Sequence, residues 1–250
     1  MAGRLLGKRA IVTGAASGFG RGIAAAFVAE GARVVIADRN AAAGAAAARD
    51  LGDAAHAIAC DVADAASVAA LGQQALAWLG GLDLLVNNAG VAQRPTPLAE
   101  LDEATFDHIA AVNMKAIYLT ARTCLPALAA SPAAAILNIA STAGVSPRPG
   151  LVWYNASKAW VIGATRAMAI ELAPARIRVN AINPVAGETP MLADFMGGDT
   201  PETRARFLAS IPMGRFSTPA DIAAAAVYLC SDEAALVTGV ALNVDGGRCI

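Results

Sequence analysis

Seven short runs of apolar, mostly β-branched residues recur along the chain, each followed by a longer Ala-rich or polar segment. They read "RAIVT" (9–13), "RVVIA" (33–37), "HAIAC" (56–60), "LDLLV" (82–86), "AAILNI" (134–139), "IRVNAI" (177–182) and "VALNV" (240–244). A strand that is apolar at successive positions is buried on both faces, the condition of a parallel sheet covered on two sides. Strands alternating with helical segments give a βαβα order, which packs helices on both faces of one sheet. The sequence therefore predicts an α/β fold with a doubly wound, seven-stranded parallel sheet and helices at about 18–30, 41–51, 65–79, 102–125, 154–173 and 219–230. From Val185 to Arg215 the rhythm breaks into Gly, Pro, Met and Phe, as expected of a lid or binding loop. With no break in composition and no internal repeat, a single domain over 1–250 is expected, with the lid at about 185–215.

Charge narrows the partners. Hydrophobic residues make up 56 % and charged residues 16 %, and the net charge is −1. No basic field is present to hold nucleic acid or an anionic membrane. Cys60, Cys124, Cys230 and Cys249 form no CxxC pair, and His56 and His108 stand near none of them, so a reduced, metal-free, cytoplasmic protein is expected. The N-terminus lacks the apolar run of a signal peptide. The longest uncharged stretch, Thr123 to Pro147, is interrupted by Pro126, Pro132, Asn138, Ser141 and Thr142 and reads as helix, turn, strand and loop rather than a membrane span.

The first strand runs into "TGAASGFGRG" (13–22) and then a helix, the arrangement that cradles a pyrophosphate. Gly14 permits the turn, Gly18 a close approach of backbone to phosphate, and Gly20 close packing of helix on strand, with Ser17 and Phe19 in the same loop. The second strand ends in Asp38, where a carboxylate accepts hydrogen bonds from a ribose and repels a 2′-phosphate. This favours NAD over NADP, although Arg39 follows directly. Asp61, followed by Val62, is placed to meet the adenine or to cap the next helix.

"YNASK" (154–158) puts Tyr154 and Lys158 on one helix face. Alone this is an ordinary exposed pair. In order with the glycine loop, "NNAG" (87–90), Asn113 in "VNMKA" and Ser141 in "NIAS", it resembles the short-chain dehydrogenase/reductase family, over essentially the whole chain. The resemblance implies a single-domain Rossmann fold and an NAD(H)-dependent oxidoreductase interconverting a ketone and a secondary alcohol. It places Asn88, Ala89 and Gly90 beside the cofactor and gives "NPVAGET" (Pro184, Val185, Gly187, Thr189) to the nicotinamide carboxamide. Val185 stands where many members have glycine. It further implies Tyr154 as acid/base, Ser141 holding the substrate oxygen, Asn113 anchoring a water that relays protons from Lys158, and a homotetramer built on the two long helices and the last strand. A mean hydropathy of +0.51 agrees with apolar faces left for partner subunits. On physical grounds a lysine cation beside the phenol lowers a pKa that is ordinarily about 10.

Substrate-pocket candidates are Gln93, Arg94, Thr142, Ser146, Arg148, Val152, Val185, Met191, Phe195 and Met196, together with Ser141. The apolar set favours a neutral, fairly hydrophobic ketone or alcohol, and an inward-pointing Arg94 or Arg148 would favour a carboxylate or phosphate instead. Alternatives sharing these motifs are an NADPH-dependent 3-oxoacyl-thioester reductase, a sugar 1-dehydrogenase and, remotely, a non-catalytic dinucleotide-binding sensor. No GxSxG elbow supports a hydrolase.

Overall fold

The structure, a computed structural model, describes residues 3–250; the first two residues of the expected domain, which open the stretch read for a signal peptide, lie outside the described residues. One parallel sheet of seven strands is ordered β3-β2-β1-β4-β5-β6-β7. The strands are β1 (Arg9–Thr13), β2 (Arg33–Asp38), β3 (Ala55–Ala59), β4 (Leu84–Asn87), β5 (Ala135–Ile139), β6 (Arg178–Pro184) and β7 (Ala241–Val244), with helices α1 (Gly18–Ala29), α2 (Ala41–Leu51), α3 (Ala65–Leu79), α4 (Glu103–Ala110), α5 (Ala116–Ala129), α6 (Val152–Leu172), α7 (Leu192–Met196), α8 (Pro201–Leu208) and α9 (Pro219–Cys230). Every strand lies within two residues of its expected place.

The period of two along each strand divides the core into two layers. Ala10 and Val12 of β1 and Val34 and Ile36 of β2 face α1 and α9, where Ile23, Phe27, Ile222 and Val227 meet them. Ile11, Val35 and Ala37 face the other way, onto Val68, Leu71 and Ala75 of α3 and Leu119 and Leu128 of α5. Strand order reverses between β1 and β4, and such a switch point leaves a crevice at the carboxyl ends of the strands.

Two departures bear on the site. The helix expected over 102–125 is two helices joined by a turn of π-helix, Ala111–Lys115, which carries Asn113; it runs on past Pro126 to Ala129. Extra residues in a turn re-aim the side chains on it, and a proline this near a helix end forfeits only one ladder bond. The 185–215 excursion contains α7 and α8, the latter started by a capping box between Thr200 and Thr203. Val185, Leu192, Met196, Phe207, Ile211 and Phe216 bury one another there as a separate small core.

A buried polar chain crosses the sheet below the crevice. Thr120 Oγ1 donates to Asn87 Oδ1 (2.7 Å), Asn87 Nδ2 to Asn138 Oδ1 (2.9 Å), Asn138 Nδ2 to Thr165 Oγ1 (2.9 Å), and Thr165 Oγ1 to the Val161 carbonyl (2.8 Å). It ties α5, β4, β5 and α6 into one register. Asn138→Leu strands the Asn87 amide in the core, and we expect a loss of about 1–3 kcal/mol, read as a lower urea midpoint at unchanged slope.

Candidate active site

A cleft of about 390 Å³ opens at the carboxyl ends of the central strands, lined by the glycine loop, the ends of β2 to β6 and the excursion. All of the expected cofactor-binding residues line it except Gly20, which lies behind the loop: a Cβ there would sit 2.3 Å from the Gly14 carbonyl oxygen and 2.4 Å from Asn88 Nδ2. Gly14, at φ +62°, leaves no room either, since a Cβ would meet Ala89 Cα at 2.9 Å. Thr13 and Asn88 hold the strand ends together. The Asn88 and Ala89 N–H groups both donate to Thr13 Oγ1 (3.0 Å), and Asn88 Nδ2 donates to the Thr13 carbonyl (2.8 Å).

The amino end of α1, like those of α5, α6 and α7, has no side-chain cap from the residue before it. Helices α2, α3, α4, α8 and α9 are capped by the side chains of Asn40, Asp64, Asp102, Thr200 and Thr218, whereas Ser17 before α1 caps nothing. Its first N–H groups stay available to an anion, and the narrow glycine cradle lets one approach. Asp38 lines the cleft at the end of β2, its Oδ2 accepting from Ala16 N at 3.0 Å, so it also braces the loop. These residues fit a dinucleotide with its pyrophosphate on α1 and its adenosine ribose at Asp38. Asp61 lines the cleft but does not cap α3; Asp64 does, while Asp61 Oδ1 accepts from Ala63 N (2.9 Å) in a local turn.

At the other end, Tyr154 and Lys158 are buried on α6 over the end of β5. Lys158 Nζ donates to the Ile139 carbonyl at 2.9 Å and lies 5.8 Å from the Tyr154 ring centroid. Burial lowers the Lys158 ammonium to about 8 and pushes the Tyr154 phenol well above its ordinary value, with the neighbouring Ser141 hydroxyl pulling the phenol partly back. This corrects the expectation that Lys158 lowers the phenol: within the chain itself desolvation dominates, and both groups are driven toward their uncharged forms.

Ser141 Oγ starts the turn after β5 by accepting from Ala143 N (3.1 Å) and lines the cleft beside Tyr154. Asn113 is no solvent-facing amide. Its Oδ1 accepts from Val91 N (2.9 Å), and its Nδ2 donates to the Val91 carbonyl (3.1 Å) and Ser157 Oγ (3.2 Å); Oδ1 and Lys158 Nζ both border the space a Cβ on Gly90 would occupy.

Of the substrate candidates, Ser141, Thr142, Arg148, Val185, Met191 and Phe195 line the cleft, Phe195 with its ring edge-on to Tyr154 at 4.8 Å. Gln93 does not. It is buried, donating to the Gly150 carbonyl (2.9 Å) and accepting from Tyr154 N (3.1 Å), and so caps the start of α6 from a distance. Arg94 turns outward to Asp194, Ser146 Oγ accepts from Arg248, Met196 is core of the excursion, and Val152 lies on the exterior. Leu151 and Phe207 also line the cleft and went unread in the sequence; neither carries a local signal beyond being apolar. Ile139 and Ala140 do as well, and their place directly before Ser141 at a strand end was the readable clue.

Comparison with known proteins agrees with this geometry. A family model described as enoyl-(acyl carrier protein) reductase matches residues 14–248. The chain is 48 % identical to the 4-formylbenzenesulfonate dehydrogenase TsaC1/TsaC2 of Comamonas testosteroni over 248 residues, 96 % of each chain. It is 40 % identical to the D-threitol dehydrogenase of Mycolicibacterium smegmatis over 250 residues, 99 % of this chain and 95 % of that one. The crystal structure of a 3-ketoacyl-(acyl-carrier-protein) reductase from Brucella melitensis complexed with NADH superposes with a TM-score of 0.94 at 48 % identity, covering 98 % of this chain and 100 % of that one. The chain belongs to the short-chain dehydrogenase/reductase family, and it is an oxidoreductase of the alcohol and carbonyl type that uses a nicotinamide dinucleotide. No helix among the described residues is long and apolar enough to cross a membrane.

The depressed lysine has a signed consequence. Below about pH 8 both folded and unfolded chains carry the Lys158 charge, and the folded state bears the cost of burying it. As pH rises from about 8 toward the unfolded value of about 10.5, only the folded chain has released the proton, so stability rises across that window. Urea unfolding of the wild type minus Lys158→Met between pH 7 and 10.5 should show this rise, on the order of 3 kcal/mol in total. Parallel stability curves would contradict it.

Proposed function

We propose that the chain is an NAD(H)-dependent dehydrogenase interconverting a ketone and a secondary alcohol, with Tyr154 as the acid/base. The observation that carries this reading is the meeting of Tyr154, Ser141 and Lys158 at the inner end of a cleft whose other end is a glycine cradle with Asp38. When bound, the nicotinamide supplies the hydride for reduction or takes it up in oxidation. Tyr154, its phenol kept protonated by burial, gives that proton to the carbonyl oxygen in reduction and is left as a phenolate beside Lys158; in oxidation it first yields its proton toward an uncharged Lys158, and the phenolate then takes one from the alcohol. Ser141 holds the same oxygen through its hydroxyl and stabilises developing negative charge there. Lys158 stands behind Tyr154 as a cation whose proton burial loosens, to about 8, and Asn113, near the same Gly90, anchors the path by which that proton is exchanged with solvent.

Asp38 supports NAD over NADP, because a 2′-phosphate would meet its carboxylate. We take the chain as one domain with 185–215 as the lid. A homotetramer is supported by the exposed apolar side chains Phe106, Tyr118, Trp160 and Ile170 on the helices α4 to α6, and a reducing, cytoplasmic setting by four free cysteines. The relatives act on unlike compounds by name, a sulfonated aldehyde, a tetritol and a ketoacyl carrier protein, so the substrate must be argued from the cleft itself. The 3-oxoacyl-thioester reductase and sugar 1-dehydrogenase readings share this chemistry and differ in the compound turned over. A non-catalytic sensor differs in turning over none.

Initial rates of NADH and NADPH oxidation with aryl ketones, keto acids, sugars and 3-oxoacyl thioesters test the reading. We expect turnover with NADH above NADPH, and a loss of at least about 100-fold in kcat for Tyr154→Phe with NADH affinity retained. Turnover that survives in Tyr154→Phe would refute the acid/base assignment.

A further inference from the structure

The cleft is electrostatically lopsided. Its two lining carboxylates, Asp38 and Asp61, lie at the adenosine end together with Arg39, whereas Arg148 lines the opposite end with no carboxylate among the lining residues there. Arg204 and Arg215 of the neighbouring excursion and Arg94 of the loop after β4 each pair with a carboxylate, on Asp199, Asp221 and Asp194. Arg148 pairs with none among the described residues. Its Nη2 donates to Ser210 Oγ at 2.8 Å, and the guanidinium lies over the Phe207 ring, 4.4 Å from its centroid, so it is held in place without being neutralised.

Further cations add to the imbalance. Arg206, on α8, and Arg248, on the C-terminal segment, are close enough to depress Arg148 further, after burial. Arg248 Nη1 donates to Ser146 Oγ, and its buried Nε has no partner. Asp245 on the same segment accepts from the backbone N–H groups of Gly247 and Cys249. A guanidinium keeps its proton throughout the working range of pH, so this corner retains its positive charge, half desolvated and unpaired. An arginine so placed presents donors suited to two oxygens of a planar or tetrahedral anion.

We propose that Arg148 is the anion-binding end of the substrate site, and that the physiological substrate carries a carboxylate or sulfonate separated by an apolar body from the carbonyl or alcohol that reacts at Tyr154. The proposal rests on the activity argued above. Leu151, Phe195 and Phe207 supply the apolar wall between the two ends, Leu151 and Phe195 packing on Tyr154 itself and Phe207 lying beneath the guanidinium. A neutral ketone fills that wall but leaves the arginine unpaired. An anionic one satisfies both, and the span between them fixes which carbon faces the hydride.

The test uses 4-acetylbenzoate, 4-acetylbenzenesulfonate and methyl 4-acetylbenzoate, which share ring and ketone and differ in charge. In the wild type we expect kcat/KM for at least one of the two anions to exceed that for the ester by about 10–100-fold, the range of a charge-assisted hydrogen bond. In Arg148→Met the ratio of anion to ester should fall to within a few-fold of one, and in Arg148→Lys, which keeps the charge without the fork, part of the preference should return. Thermal melts of both variants check folding, and Arg148→Lys carries the comparison if Arg148→Met does not fold. In parallel, binding of the two anions and the ester to the NAD-loaded protein, which cannot reduce them, is measured by calorimetry, where Arg148→Met should weaken affinity for the anions at least tenfold. A wild type that treats anions and ester alike in both assays overturns the proposal, as does an anion preference that survives in Arg148→Met. If no compound is turned over yet Arg148-dependent anion binding is present, the anion subsite stands and the dehydrogenase reading is what has failed.

Discussion

The site depends on a charge buried without a counter-ion. Lys158 sends its ammonium from the buried face of α6 to one carbonyl, that of Ile139 at the end of β5. Such a group is tolerated only where the backbone supplies an acceptor at a fixed point, and a parallel strand pinned on both sides is such a point. The register of β4, β5 and α6, maintained by the Thr120–Asn87–Asn138–Thr165 chain, is thus a condition for the chemistry as well as for stability. The same strand delivers Ser141 two residues after Ile139, so one element positions both the acceptor for the lysine and the hydroxyl beside Tyr154.

The two ends of the cleft are built on different principles. The glycine end works by absence: missing Cβ atoms and an uncapped α1 leave backbone donors open beside the Asp38 carboxylate. The substrate end works by presence. Side chains from α6, the turn after β5 and the excursion converge there, and the excursion holds its shape by its own apolar core rather than by the sheet. The shape of that end can therefore change by substitution in the 185–215 segment without disturbing the sheet and α6, which position Ser141 and Tyr154.

Strand and helix periodicity made the sheet legible, since burial on both faces writes continuous apolar runs such as "RVVIA" and "IRVNAI" into the sequence. That the glycine loop, Asp38, Ser141, Tyr154 and Lys158 line one cleft was legible because each sits in a short motif at a strand end or on one helix face. What was not legible depends on contacts between distant segments. Gln93 looked like a pocket residue and is instead the remote cap of α6, and the π-turn that aims Asn113 at Val91 writes no local periodicity. Asp61 and Asp64 compete for one helix start three residues apart, and only the ladder decides between them. The direction of the Tyr154 shift also lay beyond the sequence, because spacing brings the lysine near the phenol but says nothing of how much water the fold removes from both.

The claim that desolvation governs this pair is tested most directly by NMR titration of the free protein, following the side-chain carbons of Lys158 and Tyr154 assigned by comparison with Lys158→Met and Tyr154→Phe. We expect a Lys158 midpoint near 8 and a Tyr154 phenol still protonated well above pH 10. Midpoints of about 10.4 for the lysine and about 10 for the tyrosine, their unperturbed values, would contradict it.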